Sequence, residues 1–517
     1  MSMIYVPIQK SLPWFLSALL LMLFFQKLSA QTLTEAQLYQ RCYSHLINSP
    51  PAVNDARLVK IGQGLLTGEK ACFEILDKTA FDQNSGLLKN PDDFESRQLV
   101  NNIHSFHHQF FDALDFSLHS NGEQDDISDV TSMALFFTKS LFNEQNSFPL
   151  KYILQYPRSL EAKRNFPTLP IVPFDYFLNP QVSHKRINQN NFIYGVNDQI
   201  WNPTLIERGT LYGIIDAQQN DLLPATLISD VNQIALVDFD IHANLGGGIL
   251  GTQELRLLHN GQNRWSKNDG LLKMPRRLTK TIYQSLLCRD LPVVRQNDNT
   301  HMVNLSAQAP FKNGATCMSC HGTMEELASV FRSDFVIESA IDEDFNVEAS
   351  TRHILTLPVT YAEEEMPYEV WKINSADNFF SHRPVKGRFR FRTYDGKLVD
   401  FKVHSLEELG ILLTEGAPHP AIPDVQLFTD AGPQPENYSA EDLYICAAKR
   451  YFYFFTGIDI PLFDTFDLNT PTLGQVDQVY QQQIITWGKQ LKADQNLKNL
   501  FKNILSSKIY RDRGYKP

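Results

Sequence analysis

Residues 314–322 read Gly-Ala-Thr-Cys-Met-Ser-Cys-His-Gly, which sets two thiols three residues apart and an imidazole directly after the second. This Cys-x-x-Cys-His spacing is the attachment signature of a c-type haem. Thiols at that separation lie on one side of a turn and can add to the two vinyl groups of one porphyrin. His321 then swings beneath the iron as its proximal ligand, and protein-held axial ligands set the potential of a haem. Cys317, Cys320 and His321 are therefore the candidate cofactor-binding residues, and one covalent haem c is the expected cofactor. A thioredoxin-like redox pair would want a strand before it and a helix after it, and has no use for His321. A four-cysteine zinc site would want a second Cys pair, and the sequence has none.

Covalent haem attachment takes place on the oxidising side of the bacterial membrane, so the address of the chain matters. Lys10 precedes an almost wholly apolar run from Leu12 to Phe25, and Leu28-Ser29-Ala30 offers a small-residue cleavage site. Such a run is short for a bilayer span and right for a signal-peptide core. The expectation is a signal peptide over 1–30, a periplasmic or extracellular protein, and no stable membrane span after cleavage; an uncleaved N-terminal anchor is the alternative. Cysteine usage agrees: of Cys42, Cys72, Cys288, Cys317, Cys320 and Cys446, two go to haem, and four remain in a disulfide-permissive compartment with three ways to pair. A net charge of −11 with no offsetting basic cluster repels phosphate backbones, so nucleic acid is not an expected partner.

Length, 517 residues, suggests about three folded domains. Residues 31–125 read as an N-terminal helical domain. Thr34-x-x-Gln37 is a capping box, and Leu99, Ile103, Phe106 and Phe110 recur at helical spacing. On that last helix His104 and His108 stand one turn apart, a metal-ligand spacing. Ser105 occupies the place of the Glu a zinc protease needs, so a solvated flank beside the Phe stripe is the better reading. Cys42-Tyr-Ser-His45 lacks the second thiol of a haem site. A middle domain over 126–255 holds the buried helix Met133–Phe142, Pro-punctuated segments, and Gly246-Gly-Gly-Ile-Leu-Gly251. The last satisfies G-x-G-x-x-G but lacks the βαβ setting of a dinucleotide site, and reads as a turn that lets backbone pack closely.

Residues 256–345 form the haem-binding, cytochrome c-like domain. Pro275 opens a helix ending near Cys288, a loop through His301 and Phe311 leads to the motif, and Met324 to Phe331 begins the helix after it. Arg276 and Arg277 suit haem propionates or a solvated first turn equally. In the C-terminal α+β domain, 346–517, Gly387-Arg-Phe-Arg-Phe-Arg392 alternates like a half-exposed strand, Asp395-Gly396 is a hairpin turn, and Ser439-x-x-Asp442 caps a helix ended by Gly457. The fold class expected is mainly α with a small β element, multidomain, with the cytochrome c-like site embedded in the second half.

Gly248-Ile-Leu, Leu271 to Arg277, Leu286-Leu-Cys288 with Pro292, Cys317-x-x-Cys-His321 with Met324, and Leu443 to Gly457 with Cys446 occur here in the order that resembles the C-terminal half of planctomycete-type c-type cytochrome proteins. These are large exported multidomain proteins, so the resemblance implies an exported haem protein more firmly than any reaction. After the motif, Met324-Glu-Glu-Leu-Ala replaces the family's Met-Asp-Pro-x-Gly stretch. Cysteines in both matching segments suggest a Cys288–Cys446 bridge, and adjacent helices of one small domain suggest Cys42–Cys72.

Three functions compete: electron transfer with a partner oxidoreductase, which is favoured, a binding or scaffold protein with a structural haem, and a haem enzyme with an open distal position. Whether the chain is an enzyme stays open at this point. A dihaem peroxidase is excluded by the single motif. Met324 would share the haem face of His321, and Met318 lies inside the attachment loop. Met366, followed by Pro367, resembles the Met-Pro loop of small soluble cytochromes and is the candidate distal ligand. An ordinary loop role for Met366, ligation by His353 and an open site are the alternatives.

Overall fold

The structure is a computed structural model that describes residues 32–82, 88–111, 132–143, 148–155, 206–216, 221–223, 234–242, 247–251, 255, 274–303, 314–331, 334–341, 347–356, 387–403, 405–420, 437–462, 464 and 472–512. The segment read as a signal peptide, the prolines at 167–173 and Met366 lie outside them. The described residues are mostly helical, as expected. The N-terminal helices are α1 (Glu35–Ile47), α2 (Ala56–Gly62), α3 (Gly68–Lys78), α4 (Phe94–His108), α5 (Ser132–Phe142) and α6 (Tyr152–Gln155). Strands β1 (Ile206–Asp216), β2 (Asp221–Leu223) and β3 (Ile234–His242) follow, in an antiparallel sheet of order β2-β1-β3. Then come α7 (Met274–Thr281), α8 (Ala315–Ala328), the hairpin β4 (Asp334–Ile341) and β5 (Val347–Thr356), and the hairpin β6 (Gly387–Arg392) and β7 (Leu398–Val403). Helices α9 (Leu406–Thr414), α10 (Glu441–Thr456), α11 (Gln475–Asp494), α12 (Leu497–Ser506) and α13 (Lys508–Arg511) close the chain.

Local chemistry explains the helix starts. Thr34 and Gln37 exchange hydrogen bonds as the capping box requires: Gln37 N donates to Thr34 Oγ1 (3.3 Å), and Thr34 N donates to Gln37 Oε1 (3.1 Å). Asp55 caps α2 by accepting from Arg57 N and Leu58 N, and Asp93 caps α4 by accepting from Ser96 N. The cap read at Ser439 is not made. Ala440 holds the N-cap in a left-handed conformation, and Asp442 is turned instead into the core, where it accepts from Tyr394 N and Arg289 Nη2. Gly457 ends α10 at φ 65°, as glycine allows.

The core runs from Leu38 to Tyr510 and joins the two ends of the described chain. Leu33 N donates to Arg511 O (2.9 Å), and Arg41 Nη1 donates to Tyr510 O (2.8 Å). Tyr451 of α10 sits among Phe106, Phe110 and Phe501. His107 is buried there, held between Thr138 Oγ1 and Tyr451 OH at 2.8 Å each. His104 is buried as well, so this face of α4 is not the solvated flank its polar residues suggested. Burial against α5 and α10 outweighs polarity because each imidazole brings an apolar ring along with its nitrogens.

The glycine turn packs backbone to backbone. A Cβ on Gly248 would lie 2.0 Å from Ile153 O, and one on Gly247 would lie 2.5 Å from Leu406 O, with φ of +57° and +68°. No phosphate role is needed to explain these glycines.

Cys42–Cys72 and Cys288–Cys446 are both bonded, the pairing expected. The first staples α1 to α3. The second ties the turn after α7 to α10. A chain-entropy estimate for a loop of 30 residues gives about 3.6 kcal/mol. Cys42→Ala/Cys72→Ala is accordingly expected to lower the urea-unfolding free energy by about that much. An unchanged midpoint would show that the bridge contributes nothing.

Candidate functional site

The Cys-x-x-Cys-His segment lies inside α8, not ahead of a helix as the sequence suggested: the helix begins at Ala315, with Met318 N donating to Gly314 O at 2.9 Å. Residues 317, 320 and 321 stand at i, i+3 and i+4 and so share one helical face. Cys317, Cys320 and His321 are half-buried, while Gly322, Thr323, Leu327 and Ala328 are buried against the rest of the fold. With the other four cysteines bonded, Cys317 and Cys320 are the two thiols that remain. Among the described residues no group of three or more His, Cys, Asp or Glu converges on a point as a bare-ion site would. The motif's donors instead stand in a row along the helix, where both thiols can meet one flat macrocycle. The donor set fits a covalently attached haem.

His321 is braced by Glu325, which the sequence did not single out, and through it by Arg276. Its Nδ1 lies 2.7 Å from Glu325 Oε1, one turn further along α8. A carboxylate can only accept, so Nδ1 carries the proton, and Nε2 is the nitrogen with the lone pair for a metal. Carboxylate partners of this kind orient ligating imidazoles and raise their basicity. Arg276 Nη2 of α7 lies 3.0 Å from the same Glu325 oxygen. The propionate role considered for Arg276 therefore competes with a carboxylate already in place. The i, i+4 spacing of His321 and Glu325 was the available signal.

Behind α8 the packing is tight. A Cβ on Gly322 would lie 2.9 Å from Met302 Sδ and 3.4 Å from Asn299 Nδ2. Met302 and Asn299 belong to a 3₁₀ segment, Gln296–Met302, and Asn299 Nδ2 donates to Met318 O at 2.7 Å. Met302 thus packs against the side of α8 away from the thiols. His353 sits on β5 opposite Ile337.

A cleft of about 350 Å³ opens beside Cys288, lined by Arg289, Arg295, Arg392, Lys449 and Asp464 among others. Its cations are already tied to acids: Arg289 to Asp442, Arg295 to Asp464, Arg392 to Asp298 and Lys449 to Asp459. An anion entering there would have to displace a carboxylate. This makes the cleft a weaker candidate than the motif helix. Among the described residues no helix is long and apolar enough to cross a membrane. Comparison with protein-family models, with curated proteins and with solved structures finds no match to this chain.

Proposed function

We propose that this chain is an exported c-type cytochrome that carries one haem on Cys317, Cys320 and His321 and exchanges electrons with a partner oxidoreductase. The observation that carries the reading is the donor set of α8: two unbonded thiols and an imidazole on one helical face, in a chain whose other cysteines are all bonded. The order of segments that resembles the planctomycete-type cytochrome proteins supports it. So do the two disulfides, which suit a periplasmic or extracellular address. A haem bound there supplies one-electron exchange at its iron. His321 would hold the iron through Nε2, and Glu325 with Arg276 would hold His321. Met366 remains the proposed distal ligand.

Expression of the full chain in a bacterial host with the c-haem maturation machinery tests the proposal. The expected product keeps its haem through denaturing electrophoresis. A colourless band, or haem that acid acetone extracts, would end this reading.

The Glu325 carboxylate on His321 Nδ1 favours a second reading, a haem enzyme with an open distal position. An imidazole made more basic donates more electron density to its metal, which suits peroxide cleavage better than a high-potential electron carrier. Ferrous spectra with and without carbon monoxide separate the two. A closed six-coordinate carrier leaves its spectrum unchanged, and an open site binds the gas.

A further inference from the structure

Strand β6 alternates Arg388, Phe389, Arg390, Phe391 and Arg392. The sequence suggested one wet face, but neither face is exposed. Phe389 and Phe391 pack against Tyr283 and Tyr438, with Tyr283 and Phe389 stacked at 6.2 Å. The arginine side faces α8 and the 3₁₀ segment, and Arg390 is 1% exposed, the largest fully buried side chain among the described residues. Burying a guanidinium costs several kcal/mol unless charge and hydrogen bonds compensate it.

Compensation here is uneven. Arg388 holds Asp400 through both carboxylate oxygens, at 2.6 and 2.7 Å, and Arg392 holds Asp298 in the same forked way, at 2.9 and 2.7 Å. Arg390 reaches Asp400 Oδ2 with Nε at 3.0 Å, but without hydrogen-bond alignment and on a carboxylate Arg388 already occupies. Its other bonds go to neutral acceptors: Nη1 to Asn299 Oδ1, Nη2 to Asp298 O at 2.6 Å, and Nη1 to Met302 Sδ at 3.6 Å. Those partners are the residues that meet α8. Asn299 donates to Met318 O inside the motif, and the Met302 sulfur touches the Cβ position of Gly322, directly after His321. An arginine stays charged in such a place. A partly compensated positive charge therefore sits one side chain behind the helix that carries the thiols and the imidazole.

We infer that Arg390 is a positioning residue for the iron site: through Asn299 and Met302 it braces α8 from behind, and its fixed charge raises the reduction potential of the haem held at Cys317, Cys320 and His321. This rests on the haem reading above. The sign follows from electrostatics. A nearby cation disfavours the ferric state, which carries one more positive charge than the ferrous, and the protein interior screens the interaction less than water does.

Potentiometric titration of the haem-loaded full chain tests this, with loading of each variant checked by its pyridine haemochrome spectrum. Arg390→Gln should lower the midpoint by roughly a tenfold change in the reduction equilibrium, about 59 mV for one electron. Arg390→Lys, which keeps the charge but not the fork, should recover most of that loss. Asn299→Asp sets a new carboxylate against Arg390 and should shift the potential in the same direction as Arg390→Gln, so it carries the test should the glutamine variant fail to fold. Equal shifts in the Lys and Gln variants would reduce Arg390 to a packing role and overturn the inference, as would an unchanged midpoint in Arg390→Gln and Asn299→Asp. In those cases haem loading still stands. A wild-type chain without haem would overturn both readings together.

Discussion

Cys317→Ala/Cys320→Ala, matured alongside the wild type, is expected to fold normally and to carry no covalent haem. The thiols lie on the half-buried face of α8, whose opposite face supplies the packing through Gly322, Thr323, Leu327 and Ala328. Alanine is the best helix former, so neither substitution disturbs the helix. With no thiol to form a thioether, electrophoresis followed by haem staining should show a colourless band of unchanged mobility and unchanged far-UV circular dichroism. Cys317→Ala alone keeps one attachment point and should retain a small part of the wild-type haem. Glu325→Gln, which keeps the size of the brace but not its charge, should load haem like the wild type. Full haem retention in the double variant would mean that these thiols are not the attachment points.

How much of this was legible in the sequence depended on how local each signal is. The capping box at Thr34, the turn at Asp395-Gly396 and both disulfide pairings were legible because neighbours or paired segments carry them. The start of α8 was missed. Its first turns hold Thr, Cys, Ser and His, which break the apolar periodicity that marks a helix, and its buried side relies on a glycine and a threonine. The arginines of β6 read as half-exposed in sequence because the partners of Arg390 and Arg392 are remote. Asp298 pairs with Arg392 across 94 residues, and Asn299 Oδ1 accepts from Arg390 across 91. Ser439 failed as a cap for a similar reason: Asp442 is drawn into the core by Arg289, far away in the chain. Glu325 was within reach of sequence reasoning, since an i, i+4 His–Glu pair needs only the helix that surrounds it.

Mild acid, above the ordinary carboxylate range, is expected to destabilise the fold. Burial pushes His45 and His108 down from 6.5 to about 4, with the Arg41 charge adding to the effect at His45. Burial, reinforced by His104 and His108, also holds His107 well below the usual imidazole value, between Thr138 and Tyr451. These folded values lie below the unfolded one, so the unfolded chain takes up protons first as pH falls. Their stabilising contribution is whole above pH 6.5 and is lost progressively as pH falls from there, down to about 4 for His45 and His108. Each such group costs about 1.4 kcal/mol per pH unit within that window. Asp442 acts in the opposite direction. Burial raises it to about 6 against the charge of Arg289, so its contribution grows as pH falls through 6. His45 and His108 together outweigh Asp442, a net loss of roughly 3 kcal/mol by pH 5, and His107 adds to it in the same direction. Glu95 and Asp93, held low by their hydrogen bonds to Arg57 and Lys78 despite burial, add their own loss only below the ordinary carboxylate range. Urea unfolding at pH 7.5 and at pH 5 should therefore differ by several kcal/mol, and His108→Gln should make the dependence shallower by removing one titrating ring. Equal midpoints at the two pH values would mean that these imidazoles are protonated in the folded protein, which their buried positions could not accommodate.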